Sequence, residues 1–156
     1  MPADQASDAN KPLSIRLIGT WELLSREDYT SSGERINDPG LGSDPIALLV
    51  YDGAGHFAAQ FMKRDRTSVA ADLPGSQAPN NSRAQGGYDA YFGSYSVDDS
   101  QGSVTQRLVG ALSVENIGQV LTRSMSVVGD ELTIKLETVA VTGEAITRTL
   151  RWRRVG

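Results

Sequence analysis

The chain of 156 residues has no cysteine and one histidine, His56. The first absence excludes a disulfide framework, a thiolate nucleophile and a cysteine-based zinc or iron–sulfur site. The second excludes a multi-histidine metal centre. No stretch approaches the roughly 20 apolar residues of a membrane span, and no basic start leads into the roughly 7 to 15 apolar residues of a secretory signal. The expected address is therefore cytoplasmic, with no membrane partner. Charge of either sign is modest, 15 Lys plus Arg against 19 Asp plus Glu for a net −4, which argues against nucleic acid as a partner. What is present is ordinary for one soluble domain: 39% apolar and 22% charged residues, with 16 glycines, more than helix bundles usually carry. At this length folding buries roughly 70% of the unfolded surface, enough for one core.

Residues 1–12 are polar and read as a disordered lead-in to a single domain over 13–156. Pro12 to Ile18, with Leu13, Ile15, Leu17 and Ile18, fits one or two helical turns acting as a lid or plug. Strands follow, placed by apolar alternation and turn residues: Trp21 to Tyr29, then Ile46 to Tyr51 and His56 to Lys63 as a hairpin about Asp52-Gly53-Ala54-Gly55. A long loop near 65–90 contains Pro74, Gly75, Pro79, Asn80 and Asn81, a length more typical of lids and binding loops, and Ser82 to Tyr91 could hold a helical turn. Regular strands resume at Gly93 to Val97, Ser103 to Leu112, Gln119 to Val128, Glu131 to Thr138 and Ala145 to Val155. The expected fold is all-β, a sandwich or closed up-and-down barrel.

Polar residues on apolar faces point to a site. Arg123 shares a face with Leu121, Met125 and Val127, Gln106 with Val104 and Leu108, and Tyr95 with Val97. The inward face of His56 to Lys63 is ambiguous; if Ala58, Gln60 and Met62 face in, Gln60 joins the group. A few polar groups in an apolar cavity are what a ligand pocket requires. The structural alternative is that Arg123 closes the barrel end by stacking on a Trp and bonding backbone carbonyls, with the glutamines as internal hydrogen-bond fillers.

Other motifs carry less. Gly53-Ala54-Gly55-His56-Phe57-Ala58 matches the dinucleotide glycine pattern, but a strand rather than a helix follows and Asp72 sits among Pro and Gly. His56 is a candidate general base, more simply an exposed turn residue. Asp98-Asp99 lacks the spaced ligands of a calcium loop. Asn80-Asn81-Ser82 is a glycosylation sequon without an export signal. Arg148, Arg151, Arg153 and Arg154 read as the exposed face of a last, edge-blunting strand.

Gly19-Thr20-Trp21-Glu22-Leu23 resembles the Gly-x-Trp opening of lipocalins. The order of later segments is similar to the lipocalin-like domain family, a small calycin-type barrel: Leu49-Val50-Tyr51-Asp52 through Gln60-Phe61-Met62, Arg64-Asp65-Arg66, Tyr91-Phe92-Gly93-Ser94-Tyr95, Gly102-Ser103-Val104-Thr105, Arg123, Gly129-Asp130-Glu131-Leu132-Thr133 and Leu150-Arg151-Trp152-Arg153-Arg154. The resemblance implies an up-and-down barrel with Trp21 at its closed end and a cavity at the other. Members usually carry histidine after the Val-Thr pair, where this chain has Gln106 and Arg107, so imidazole chemistry there is lost. Related barrels carry small apolar ligands, and some serve as cyclases or isomerases without cofactors.

The expected function is binding of a largely apolar or amphipathic small molecule with a carbonyl, carboxylate or phenol end, without cofactor or metal. Gln60, Tyr95, Gln106 and Arg123 would orient the polar end, with Trp21, Phe61, Met62, Tyr91 and Trp152 supplying contact area. The alternative is a cofactor-free cyclase, isomerase or dehydratase of secondary metabolism, with Arg123, Tyr95 and His56 as catalytic candidates. The sequence does not decide between a monomer and a homodimer.

Overall fold

The computed structural model describes residues 10–37, 40–66, 85–140 and 142–156. Residues 1–9 of the lead-in, Asp72, the sequon and most of the long loop lie outside them.

Turn chemistry sets where the chain reverses. Asp52 Oδ1 accepts the backbone N–H groups of Ala54 and His56 at 2.9 and 2.8 Å, closing one hairpin, and Asp98 Oδ1 does the same for Ser100 and Gln101 at another. Gly129 supplies a positive φ of 60° for the tight Gly129-Asp130 reversal. Between these turns run a single helical turn α1 (Leu13–Arg16) and the strands β1 (Gly19–Thr30), β2 (Arg35–Ile36), β3 (Ile46–Tyr51), β4 (His56–Met62), β5 (Tyr88–Asp98), β6 (Ser103–Ala111), β7 (Val120–Val128), β8 (Glu131–Val139) and β9 (Ala145–Arg154). The segment Tyr88 to Tyr91, open to a helical turn on its sequence, is instead the start of β5.

Each strand from β3 to β9 pairs antiparallel with the next, and β9 returns to β1, giving a closed up-and-down barrel of eight strands. The short β2 lies outside the closure, paired with the far end of β1 through Asp28↔Ile36 and Tyr29↔Arg35. Because β9 is bonded on both sides, it is not an edge strand, and its arginines do not share one exposed face. Arg151 and Arg153 point out, Arg148 is buried inside, and Arg154 turns onto the closed end.

On β4 the inward set is Phe57, Ala59 and Phe61, so Gln60 is exposed and Met62 faces outward beside it. Two aromatic rings outweigh one Met in the competition for the interior. On β1 the register shifts between Leu23 and Ser25, so that after Trp21 and Leu23 the inward residues are Arg26, Asp28 and Thr30. Simple alternation places Arg26 outside; one inserted residue reverses the face of everything beyond it.

At the closed end Trp21 is fully buried and donates its indole N–H to the Leu17 carbonyl at 3.0 Å. The Arg154 guanidinium lies 4.3 Å over the Trp21 ring and donates to the carbonyls of Ile18 and Arg16. Gly19, at φ 148°, makes room for it, since a Cβ there would come within 2.5 Å of Arg154 Nη1. The closure role considered for Arg123 is thus filled by Arg154.

Candidate functional site

A small cavity of about 40 Å³ lies inside the barrel. Leu49, Phe61, Met125, Ile134, Leu136, Leu150 and Trp152 form its apolar wall, and Tyr51, Tyr91, Gln106, Arg123 and Arg148 bring polar atoms to it. Each comes from the inward position of its strand, so β3 through β9 all contribute. This volume admits a water or two or a head group, well short of the roughly 300 Å³ or more of a drug-sized pocket.

The polar groups are ordered. Gln106 Nε2 donates to the Tyr51 hydroxyl at 2.7 Å, and that hydroxyl faces Met125 Sδ at 3.8 Å. Arg148 donates to both oxygens of Asp28, Nε at 2.9 Å and Nη2 at 3.1 Å, with the side chains 1% and 5% exposed. Arg26 lies 3.8 Å from the same carboxylate. Asp89, fully buried, completes a group of charged side chains.

Electrostatics follow from burial. Burial pushes the Tyr51 phenol well above its ordinary range, against the nearby Arg123 charge and the Gln106 hydrogen bond. Tyr91 is also raised, first by burial and then by Asp89, although Arg123, Arg148 and Arg26 oppose this. The Arg123 pKa is lowered, mainly by burial and further by the Arg148 charge. Both tyrosines therefore stay protonated, and an added negative charge beside Arg123 would favour its charged form.

Of the residues singled out in the sequence, the fold brings Phe61, Tyr91, Gln106, Arg123 and Trp152 to this cavity. Trp21 is the floor of the closed end instead. Tyr95 stacks edge-on against Tyr51 but sends its hydroxyl to the Asp52 carbonyl at 2.6 Å, in the β3–β4 turn. Gln60 accepts a hydrogen bond from Tyr88 on the outer surface and shares a hollow there of about 480 Å³ with Met62, Leu48 and Arg64. His56 is exposed, its Nδ1 3.3 Å from Asp52 Oδ2 beside a second outer hollow of about 630 Å³ containing Phe92 and Val109. The three catalytic candidates, Arg123, Tyr95 and His56, are accordingly not assembled at one point.

The interior places of Arg26, Asp28, Asp89 and Arg148 escaped the sequence reading. On β1 the clue was the polar alternation Arg26-x-Asp28-x-Thr30 after an interrupted apolar one. On β9 it was Arg148 falling in step with Ile146, Leu150 and Trp152. Among the described residues no three His, Asp or Glu side chains gather as a metal-binding cluster, and no helix is long and apolar enough to cross a membrane.

A closed up-and-down antiparallel barrel with a tryptophan-plugged end and an interior cavity defines a calycin-type protein. The family profile described as a lipocalin-like domain matches residues 18–155, and the chain belongs to that family. No curated protein matches it. A solved structure, Rv2717c from M. tuberculosis, aligns over 100% of this chain and 99% of its own at 16% identity, with a TM-score of 0.36.

Proposed function

We propose that the protein binds a small, largely apolar or amphipathic molecule in its barrel, working in the cytoplasm, with the polar end of the ligand at the Arg123 wall. The observation that carries this is the convergence of Arg123, Gln106, Tyr51 and Tyr91 on one cavity whose remaining lining is largely apolar. That mixture, a few placed polar groups in an apolar surround, is the chemistry of small-molecule recognition. The cavity volume limits what enters without movement to the head group, and the body of the ligand requires half-buried side chains such as Leu121 and Leu136 to turn aside.

A cofactor-free cyclase, isomerase or dehydratase would use the same wall. Tyr91 favours that second reading, as a phenol kept protonated chiefly by burial, against the pull of Arg123, Arg148 and Arg26, can donate to a developing enolate. Tyr91→Phe would then abolish turnover while substrate still bound.

Native mass spectrometry of freshly purified protein, beside its Arg123→Met variant, tests the binding reading. The expected result is a folded mass above the denatured mass in the parent and a smaller occupied fraction in an equally folded variant. If both proteins are empty, and no amphipathic acid, phenol or ketone raises the melting temperature, the binding reading is overturned.

A further inference from the structure

The two tryptophans are treated differently by the fold. The Trp21 N–H has an acceptor, the Leu17 carbonyl. Trp152 is 1% exposed, lines the cavity, and its Nε1 is buried with no hydrogen-bond partner. An indole N–H is a donor only, and buried donors are almost always satisfied by protein, water or ligand.

The rest of the wall narrows what that acceptor is. Its charged members are Arg123 and Arg148, both cations, and among the described residues no carboxylate lines it. Behind the wall, Asp28 engages Arg148 through two hydrogen bonds and Asp89 lies near Tyr91, so two carboxylates stand against the three guanidinium groups of Arg26, Arg123 and Arg148 and the balance is positive. The Tyr51 oxygen already accepts from Gln106. The lining thus offers donors and positive charge. An ammonium would be repelled. A neutral carbonyl or a water would accept from Trp152 but gain little from the positive potential of the wall, whereas an oxyanion gains from both.

We propose that this cavity is a carboxylate site, taking the head group of a slim amphipathic acid between the Trp152 Nε1–H and the Arg123 guanidinium. Its apolar chain leaves past Leu121 and Leu136. The void of about 40 Å³ suits a head group, and a single flexible chain is the ligand body that displaces the fewest side chains. The inference rests on the small-molecule reading above and adds the charge of the head group.

Decanoate and decanamide share a chain and a carbonyl acceptor and differ in charge, so titrating both by calorimetry at neutral pH isolates the claim. Decanoate is expected to bind at least about tenfold more tightly, a difference of about 1.4 kcal/mol. Trp152→Phe should weaken decanoate about three- to tenfold and decanamide by a smaller factor, because a charged acceptor loses more with the N–H than a neutral one. Arg123→Gln, the second variant should Trp152→Phe fold poorly, should bring the two ligands to similar affinity. Equal binding of both ligands to the parent overturns the carboxylate site while the small-molecule reading stands. Binding of neither also overturns it, and the native-mass comparison then decides that reading separately.

Discussion

Asp28 accepts two hydrogen bonds from Arg148 and lies within 3.8 Å of Arg26, with all three side chains buried. Removing one member of such a group leaves charge without compensation in a poorly solvated interior. Asp28→Asn should therefore cost about 3–5 kcal/mol in urea unfolding. The double change Asp28→Leu with Arg148→Met, which removes both charges together, should cost less than the two single changes summed. Tyr51, buried, and Tyr91, half-buried against the core, make an alkaline prediction. In the folded state the pKa of Tyr51 and of Tyr91 lies above the ordinary value of 10.0. Unfolding releases their protons more readily, so this contribution to stability is complete at neutral pH and is lost as pH rises beyond about 10. The melting temperature should fall steeply above that pH, with tyrosinate absorbance for these two rings appearing only as the barrel unfolds. Arg123→Met, by contrast, removes a half-buried cation from among other cations, and its melting temperature should match the parent or exceed it.

Strands were legible where turns and apolar alternation agreed, as in β6, β7 and β8. The inward faces were harder to read because polar residues occupy interior positions here, and a local pattern has no marker for a charge that will meet its partner on a distant strand. Arg148 and Asp28 are 120 residues apart in sequence and adjacent in space. The β1 register shift is similarly silent, since Leu24 looked like a lapse in alternation and is in fact an exposed residue at the irregularity. The β5–β6 pair has its own shift between Phe92 and Gly93, and there the backbones approach so closely that a Cβ on Gly93 would collide with the Arg107 carbonyl oxygen. Gly93→Ala should be among the most damaging single changes, above about 4 kcal/mol or insoluble. A Cβ on Gly110 would instead press on the movable Phe92 ring, so Gly110→Ala should cost roughly 1–3 kcal/mol in the same unfolding assay.

Viewed as one molecule, the barrel gives its closure to one set of side chains and the lining of its interior cavity to another. Arg154 binds two carbonyls of the α1 segment and covers Trp21, so Arg154→Met should destabilise by about 2 kcal/mol. It should leave decanoate affinity, measured on the folded protein, within about twofold of the parent. The seam that joins β1 to β9 has a further consequence, for the order of events in synthesis. Its partners include Glu22 and Arg153, 131 residues apart, so the first long strand waits for the last before its second edge is filled. Until the ribosome has released β9, the nascent chain presents Trp21, Leu23 and an open ladder to its surroundings. A chain that stops short of Ala145 has no substitute for that edge, and the cell meets it as a strand in search of a neighbour.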